Sequence, residues 1–157
     1  MKSSYKRGFS FGLVSGIITT LGLMVGLFST THSKLVVIGG ILIIAVADAL
    51  SDAVGIHISQ EAENKYPYHQ VWESTFATFI SKFIFAMTFA VPVILFELNS
   101  AIIISIIWGL GLIAIFSYEI ARLRHVEPYE VILEHLVIAV LVVGITYYLG
   151  QWVGTFK

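Results

Sequence analysis

The sequence predicts an all-α integral membrane protein with five transmembrane helices, for two reasons. The 157 residues are 57% hydrophobic and only 12% charged, which leaves too little polar surface for a soluble domain of this size. Five apolar stretches also reach the roughly 20 residues that a helix needs to cross the hydrocarbon layer. They cover residues 9–29, 35–58, 71–96, 101–120 and 131–153. We expect residues 1–157 to form a single five-helix membrane domain.

The joints between these stretches carry loop signals and set the expected orientation. They are residues 30–34, 60–70 with Pro67, 97–100, and 122–130 with Pro128. If the N-terminus is cytoplasmic, most basic residues lie on the cytoplasmic side, as the positive-inside rule requires. Those on that side are Lys2, Lys6, Arg7, Lys65, Arg122 and Arg124, against Lys34 and Lys157 on the other. We therefore predict a cytoplasmic N-terminus and an external C-terminus.

Composition excludes several classes of function. The chain has no cysteine, so thiolate metal sites and cysteine nucleophiles are absent, and its net charge of −1 offers no basic field for nucleic acid. The Ser15 region lacks the spacing of a nucleophile elbow. Asp48 and Asp52 share one helix, whereas an intramembrane aspartyl protease brings its two aspartates from different helices. Glycine-rich nucleotide loops are also absent. The expectation is a protein that is not an enzyme, and whose transport, if any, is not driven by ATP.

The first helix is rich in small residues. Gly8, Gly12 and Gly16 recur at four-residue spacing, so its backbone can approach another helix closely. Its hydroxyls line a path or bond back to their own helix, and back-bonding is the commoner outcome. Only Ser15 is singled out for the transport pathway.

The second helix carries two aspartates well inside its apolar stretch. Asp48 and Asp52 are one helical turn apart, so they point the same way, and Ser51 lies at the margin of their stripe. Two close carboxylates in a low dielectric need a cation, a proton or a partner. This pattern is typical of a site that exchanges protons against a cation, although a structural hydrogen-bonded or ionic pair remains the alternative.

The third helix carries Lys82 about eleven residues into its apolar stretch, too deep to reach either surface. Its ammonium should therefore pair with Asp48 or Asp52. Either the ammonium takes the place of a transported cation when the site is empty, or the contact is a permanent salt bridge.

The last two helices, 101–120 and 131–153, carry no central charge, and Tyr148 and Trp152 near the end of the fifth suit the membrane interface.

At the C-terminal end of the second helix, His57 and Glu61 form an i, i+4 pair able to ligate a metal. An interfacial histidine is the simpler interpretation. Glu63 lies nearer the aspartate side and could form part of a cytoplasmic mouth.

Four segments carry a resemblance that spans nearly the whole chain. They are residues 11–16 (FGLVSG), 51–63, 76–96 with Pro92, and 144–150 (GITYYLG). In their order and spacing, and with five helices and an acid-bearing second helix, the chain resembles the vacuolar iron transporter family. The resemblance implies a homodimer that moves Fe²⁺ or Mn²⁺ out of the cytoplasm in exchange for protons, with the metal as cargo and no resident cofactor.

Two positions differ from the pattern of that family. The family typically has an aspartate where this chain has Ser15, and a methionine where this chain has Asp52, as if the acid had changed helices. The cytoplasmic metal-binding insertion between the second and third helices is also missing, and Glu61 and Glu63 resemble its remnant. A site of carboxylates and hydroxyls is hard, so it should discriminate less among Mn²⁺, Fe²⁺, Mg²⁺ and Ca²⁺ than a thioether site.

These observations give one leading hypothesis and one alternative. The leading hypothesis is a multi-pass secondary transporter that exchanges a divalent cation for protons across a prokaryotic cell membrane. Its expected partners are membrane lipids and a second copy of the chain. The alternative is a non-transporting membrane module in which the Asp48/Asp52–Lys82 ion pair is structural or binds a partner. The expected metal ligands are Asp48, Asp52, Glu61 and Glu63, and the expected pathway residues are Asp48, Asp52, Ser15, Ser51 and Lys82.

Overall fold

The computed structural model describes residues 3–156, and nearly all of them are helical. Short joints connect six helices in this part of the chain. They are α1 (Ser3–Thr31), α2 (Lys34–Glu63), α3 (Tyr68–Thr88), α4 (Ala90–Leu95), α5 (Leu98–Arg124) and α6 (Pro128–Gly154). Because α3 and α4 together make one span, the described residues contain five helices long and apolar enough to cross a membrane. The expected all-helical, multi-pass architecture is confirmed at this level.

The third span is broken, which the sequence did not predict. Helix α3 ends at Thr88, and α4 begins at Ala90 after a turn at Phe89. Pro92 explains the position of the break, because a proline ring clashes with the carbonyl four residues earlier, and that carbonyl belongs to Thr88. The expected single helix over 71–96 is therefore two helices.

The helices extend beyond the apolar stretches at several ends. Helix α2 continues to Glu63, so Gln60 lies inside a helix and not in the predicted joint. Helix α5 ends at Arg124 followed by His125 in the left-handed region, and α6 begins with Pro128 in its first turn. An apolar stretch shows which part of a helix lies in hydrocarbon. The backbone hydrogen bonds of the helix continue beyond that stretch into the membrane interface, so the observed helices are longer than predicted.

The contacts within the chain group it in two compact units. One unit contains the described residues up to Thr20 together with Ile41–Ala90, so it consists of the first part of α1, most of α2, and α3. All four residues of the site described below belong to it. The other unit contains Leu21–Gly40 and the described residues from Val91 onward, where α5 packs on α6. The expectation of one domain stays a prediction.

Contacts at the joints fit an alternating direction of the first three spans. Near the start of α1, the Arg7 guanidinium lies 4.6 Å from the ring centre of Tyr66, in the joint that follows α2. At the start of α2, Lys34 Nζ donates to the carbonyl oxygens of Ile94 and Phe96 at 3.1 and 3.0 Å, where it satisfies the end of α4. Which ends face the cytoplasm stays a prediction.

Candidate functional site in the middle of three helices

Lys82 is among the largest fully buried side chains of the described residues, with only 1% of its surface exposed. It lies near the middle of the span Tyr68–Leu95, about 20 Å from either end at the rise of an α-helix. An ammonium at that depth cannot reach water by extending its side chain. Its charge must therefore be met by other side chains of the protein.

Two carboxylates and one hydroxyl meet it. Lys82 Nζ donates a very short hydrogen bond to Asp52 Oδ2 and another of 2.9 Å to Ser15 Oγ. It lies 2.6 Å from Asp48 Oδ2. The predicted pairing of Lys82 with the aspartates is confirmed, and both aspartates are engaged. We call Ser15, Asp48, Asp52 and Lys82 the mid-membrane cluster.

The two aspartates are held differently. Asp52 Oδ2 accepts from Lys82 and also from the hydroxyl of Ser15, at 2.7 Å. Asp48 Oδ2 is buried 2.6 Å from the ammonium and has no second polar partner among the described residues. A competing cation would therefore replace one contact at Asp48 Oδ2 and two at Asp52 Oδ2.

Ser15 differs from the hydroxyls around it. Thr19 donates back to the carbonyl of Ser15 at 2.8 Å, in the manner expected for a hydroxyl within a helix. Ser15 instead donates its single proton to Asp52 on another helix while accepting from Lys82 on a third. One hydroxyl thus connects α1, α2 and α3.

The glycines of α1 explain why the cluster closes so tightly. A Cβ added at Gly8 or Gly12 would collide with the α3 backbone at Ser74 or Thr78, and one at Gly16 would lie 3.0 Å from the Lys82 carbonyl oxygen and 3.1 Å from its Cγ. The close approach predicted from the four-residue spacing is confirmed. Because α1 lies directly on α3, the Lys82 stem is enclosed before its ammonium reaches the carboxylates.

A line of buried hydroxyls on α3 was not singled out from the sequence. Ser74, Thr78 and Ser81 are at most 2% exposed and share the face of α3 that α1 covers. Thr78 and Ser81 each donate to a carbonyl of their own helix. The single hydroxyl proton of Ser74 is within reach of Gln60 Oε1 on α2 and of the Gln70 carbonyl on α3. The four- and three-residue spacing of these hydroxyls, leading to Lys82, was the available signal. The contacts of Gly8 and Gly12 with α3 show that this seam is closely packed.

The other predicted site residues lie away from the cluster. Ser51 is on the exposed face of α2, Glu61 is 53% exposed, and Glu63 is exposed at the last residue of that helix. Among residues 3–156, no group of three or more histidine and carboxylate side chains is placed to hold one metal ion. The structure therefore brings four of the seven predicted residues together.

The cluster offers a cation oxygen ligands only. Two carboxylates and one hydroxyl supply at most five oxygens, all of the hard type that Mg²⁺, Ca²⁺ and Mn²⁺ prefer. The side chains of Asp48 and Asp52 are 29% and 23% exposed at the surface of the chain, whereas Lys82 is enclosed. A cation could therefore approach from the carboxylate side, and it would have to displace the ammonium to use all three ligands.

Comparison with known proteins does not assign the chain to a family. No protein-family model matches the chain, and no curated protein matches it. The likeness to vacuolar iron transporters therefore stays a hypothesis based on the residues quoted above.

Proposed function

We propose that this protein is a secondary transporter that moves a divalent metal cation, Fe²⁺ or Mn²⁺ in the first instance, out of the cytoplasm in exchange for protons. One observation carries the proposal: two carboxylates face a single ammonium in the middle of a membrane span. A structural ion pair needs one acid for one base. The second acid leaves an excess negative charge where an unneutralised charge is costly, so the cluster requires a further positive charge.

Lys82 acts in this proposal as a built-in substitute for the transported ion. Its ammonium lies among the three oxygens that a divalent cation would use, so both cannot occupy the site at full charge. Loading the metal deprotonates the ammonium, and the proton that Lys82 releases is the coupling ion. Because the ammonium is the one partner of Asp48 Oδ2 among the described residues, whereas Asp52 also accepts from Ser15, Asp48 is the first carboxylate to engage the metal.

A second copy of the chain completes the site in this proposal. Each chain offers at most five oxygens, and the carboxylates are partly exposed on a face of α2. The half-buried residues one turn before Asp48 and one turn after Asp52, Ile44 and Ile56, are apolar. An exposed carboxylate in contact with lipid is unfavourable. A homodimer that covers this face supplies further ligands and removes that contact.

Metal-dependent proton flux in proteoliposomes tests the proposal. The purified chain is reconstituted with a pH-sensitive dye inside, and Mn²⁺, Fe²⁺, Mg²⁺ and Ca²⁺ are added outside in turn. We expect proton movement with at least Mn²⁺ and Fe²⁺, its loss in Asp52→Asn, and its retention in Glu119→Gln, an exposed carboxylate of α5. Absence of flux with all four ions would refute transport.

A structural lock is the second candidate, and the enclosure of Lys82 favours it. The ammonium is 1% exposed and surrounded by three oxygens, which is how a permanent ion pair joining α1, α2 and α3 is built. For a lock, Asp52→Asn lowers thermal stability, no divalent ion raises the melting temperature of the wild-type protein, and no ion drives proton flux. For a transporter, the metal that drives flux also raises the melting temperature.

A further inference from the structure

The imidazole of His57, near the end of α2, is held from two sides. Its Nδ1 lies 2.9 Å from Thr75 Oγ1, and its ring packs edge-on against Trp72 with 4.6 Å between ring centres. Thr75 donates its only hydroxyl proton to the carbonyl of Val71 at 2.8 Å. The hydroxyl can then only accept from His57, so Nδ1 carries the hydrogen and Nε2 carries the lone pair of the neutral ring.

That lone pair faces a carboxylate. Nε2 lies 3.4 Å from Glu61 Oε1, one helical turn further along α2. A charge-assisted hydrogen bond between a protonated imidazole and a carboxylate would draw these atoms to about 2.7–2.9 Å. Two ligands about 2.1 Å from a tetrahedral metal ion are instead about 3.4 Å apart. The separation is therefore one that two ligands of a single metal ion have.

We propose that His57 Nε2 and Glu61 form a binding site for a borderline transition-metal ion such as Co²⁺, Zn²⁺ or Fe²⁺, with water completing the coordination. Thr75 is the positioning residue, because metal-ligating histidines characteristically donate their other ring nitrogen to an oxygen that fixes the tautomer. His57 is 17% exposed and Glu61 53%, so an ion reaches the site from outside.

This site differs in chemistry from the mid-membrane cluster. The cluster has only oxygen ligands, which discriminate poorly against Mg²⁺ and Ca²⁺, whereas an imidazole prefers transition metals. His57 and Asp52 are five residues apart, about 7.5 Å along the axis of α2. A role in selecting the ion that later reaches Asp52 rests on the proposed function, but the binding site itself does not.

The neighbouring indole gives a direct measurement of binding. Replacing Trp108 and Trp152, which are 47% and 61% exposed, by Phe leaves Trp72 as the only fluorophore of its kind in the full-length protein. Co²⁺ bound to His57 quenches Trp72 because the two rings touch. We expect saturable quenching by Co²⁺ that Zn²⁺ reverses by competition and that a large excess of Mg²⁺ or Ca²⁺ does not.

Four variants in this background locate the metal. His57→Asn keeps a donor for Thr75 but removes Nε2, so Co²⁺ binding should weaken at least ~10-fold. Glu61→Gln should weaken it as well, and Thr75→Val should do so by about 10-fold, because it releases the tautomer while keeping side-chain shape. His69→Asn is the matched control, since His69 lines the same surface groove as Trp72 without contacting His57, and it should leave binding unchanged.

Other results overturn the assignment. Quenching that does not saturate, that survives His57→Asn, or that is lost in His69→Asn would each place the ion elsewhere. Asp52→Asn separates this inference from the proposed function, because it should abolish flux while leaving the Co²⁺ quenching curve intact. If wild-type proteoliposomes show no flux but the quenching behaves as expected, the metal site stands and the transport proposal fails.

Discussion

The two compact units of the chain differ in what they bury. The unit formed by α3 and the adjoining parts of α1 and α2 encloses Lys82, Gln60 and a line of hydroxyls on α3. The unit formed by α5, α6 and the remaining helix parts buries mainly apolar side chains. Its buried polar residues in the described part of the chain are Ser29, Ser105 and Ser117. Polar groups are thus concentrated in one unit of a uniformly apolar sequence.

This difference distinguishes polar groups that helix packing accommodates from polar groups that packing does not require. Hydroxyls that bond back to their own helix are compatible with any membrane bundle, and both units contain them, as Thr78 and Thr146 do. An ammonium with two carboxylates is not needed for packing, because apolar residues of similar volume would pack at least as well. The mid-membrane cluster is therefore the feature of the first unit that calls for a functional explanation.

The largest expected effect comes from removing the ammonium. Lys82→Met keeps the buried stem but leaves Asp48 and Asp52 facing each other, and breaking a buried ion pair from one side costs about 3–5 kcal/mol of unfolding free energy. Thermal unfolding in detergent should show a large fall in melting temperature. The triple variant with Asp48→Asn and Asp52→Asn should recover most of the loss. A Lys82→Met protein as stable as wild type would mean that the carboxylates do not depend on the ammonium.

The second effect tests the close contact of α1 with α3. Gly12→Ala drives a methyl group into the carbonyl of Thr78 and the hydroxyl of Ser81, which should cost about 1–3 kcal/mol and loosen the cluster. Gly111→Ala in α5 is the matched control, because its added methyl group meets no other atom, and it should be neutral or stabilising by about 0.5–1 kcal/mol. The same unfolding assay compares the two, and equal effects would contradict the close approach of α1 and α3.

Much of the fold was accessible from sequence because lipid imposes simple requirements. A span needs about 20 apolar residues, and a charge within it needs a partner, so the five helices and the contact of Lys82 with the aspartates followed from position alone. The break at Phe89 did not, because Pro92 lies inside an apolar stretch and was read as part of one continuous span. Gln60 falls in the predicted joint because it is polar and follows the apolar stretch, and its partner Ser74 cannot be found without the packing of α2 on α3.

The contacts that Ser15 and His57 make with other helices could not be predicted from the sequence. The sequence suggested Ser15 through a family resemblance, but the bonds that make it bridge three helices depend on rotamers. The sequence favours His57 as an interfacial residue, since nothing in it indicates that Thr75 lies beside Nδ1. In both cases the decisive contact lies between helices, beyond the reach of helical periodicity.

The third prediction concerns the hydroxyl that joins the three helices. Ser15→Ala removes a donor to Asp52 and an acceptor for Lys82, and each loses a bond within the membrane, so we expect a loss of about 1–2 kcal/mol in the unfolding assay. Ser15→Thr restores the hydroxyl and should recover part of it. If Ser15→Ala matched wild type in melting temperature, the ion pair would be independent of α1.

The smallest effect is expected in the other unit, at a serine that is more deeply buried than Ser15. Ser105 in α5 is fully buried, and its hydroxyl has no hydrogen-bond partner among the described residues. A buried hydroxyl without a partner has a desolvation cost that no hydrogen bond offsets. Ser105→Ala should therefore be neutral or stabilise the protein by about 1 kcal/mol. Opposite signs for Ser15→Ala and Ser105→Ala in one assay would show that the two units use buried polar groups differently. A loss at Ser105 as large as at Ser15 would remove that distinction, because it would mean that the apolar unit also depends on a buried hydroxyl.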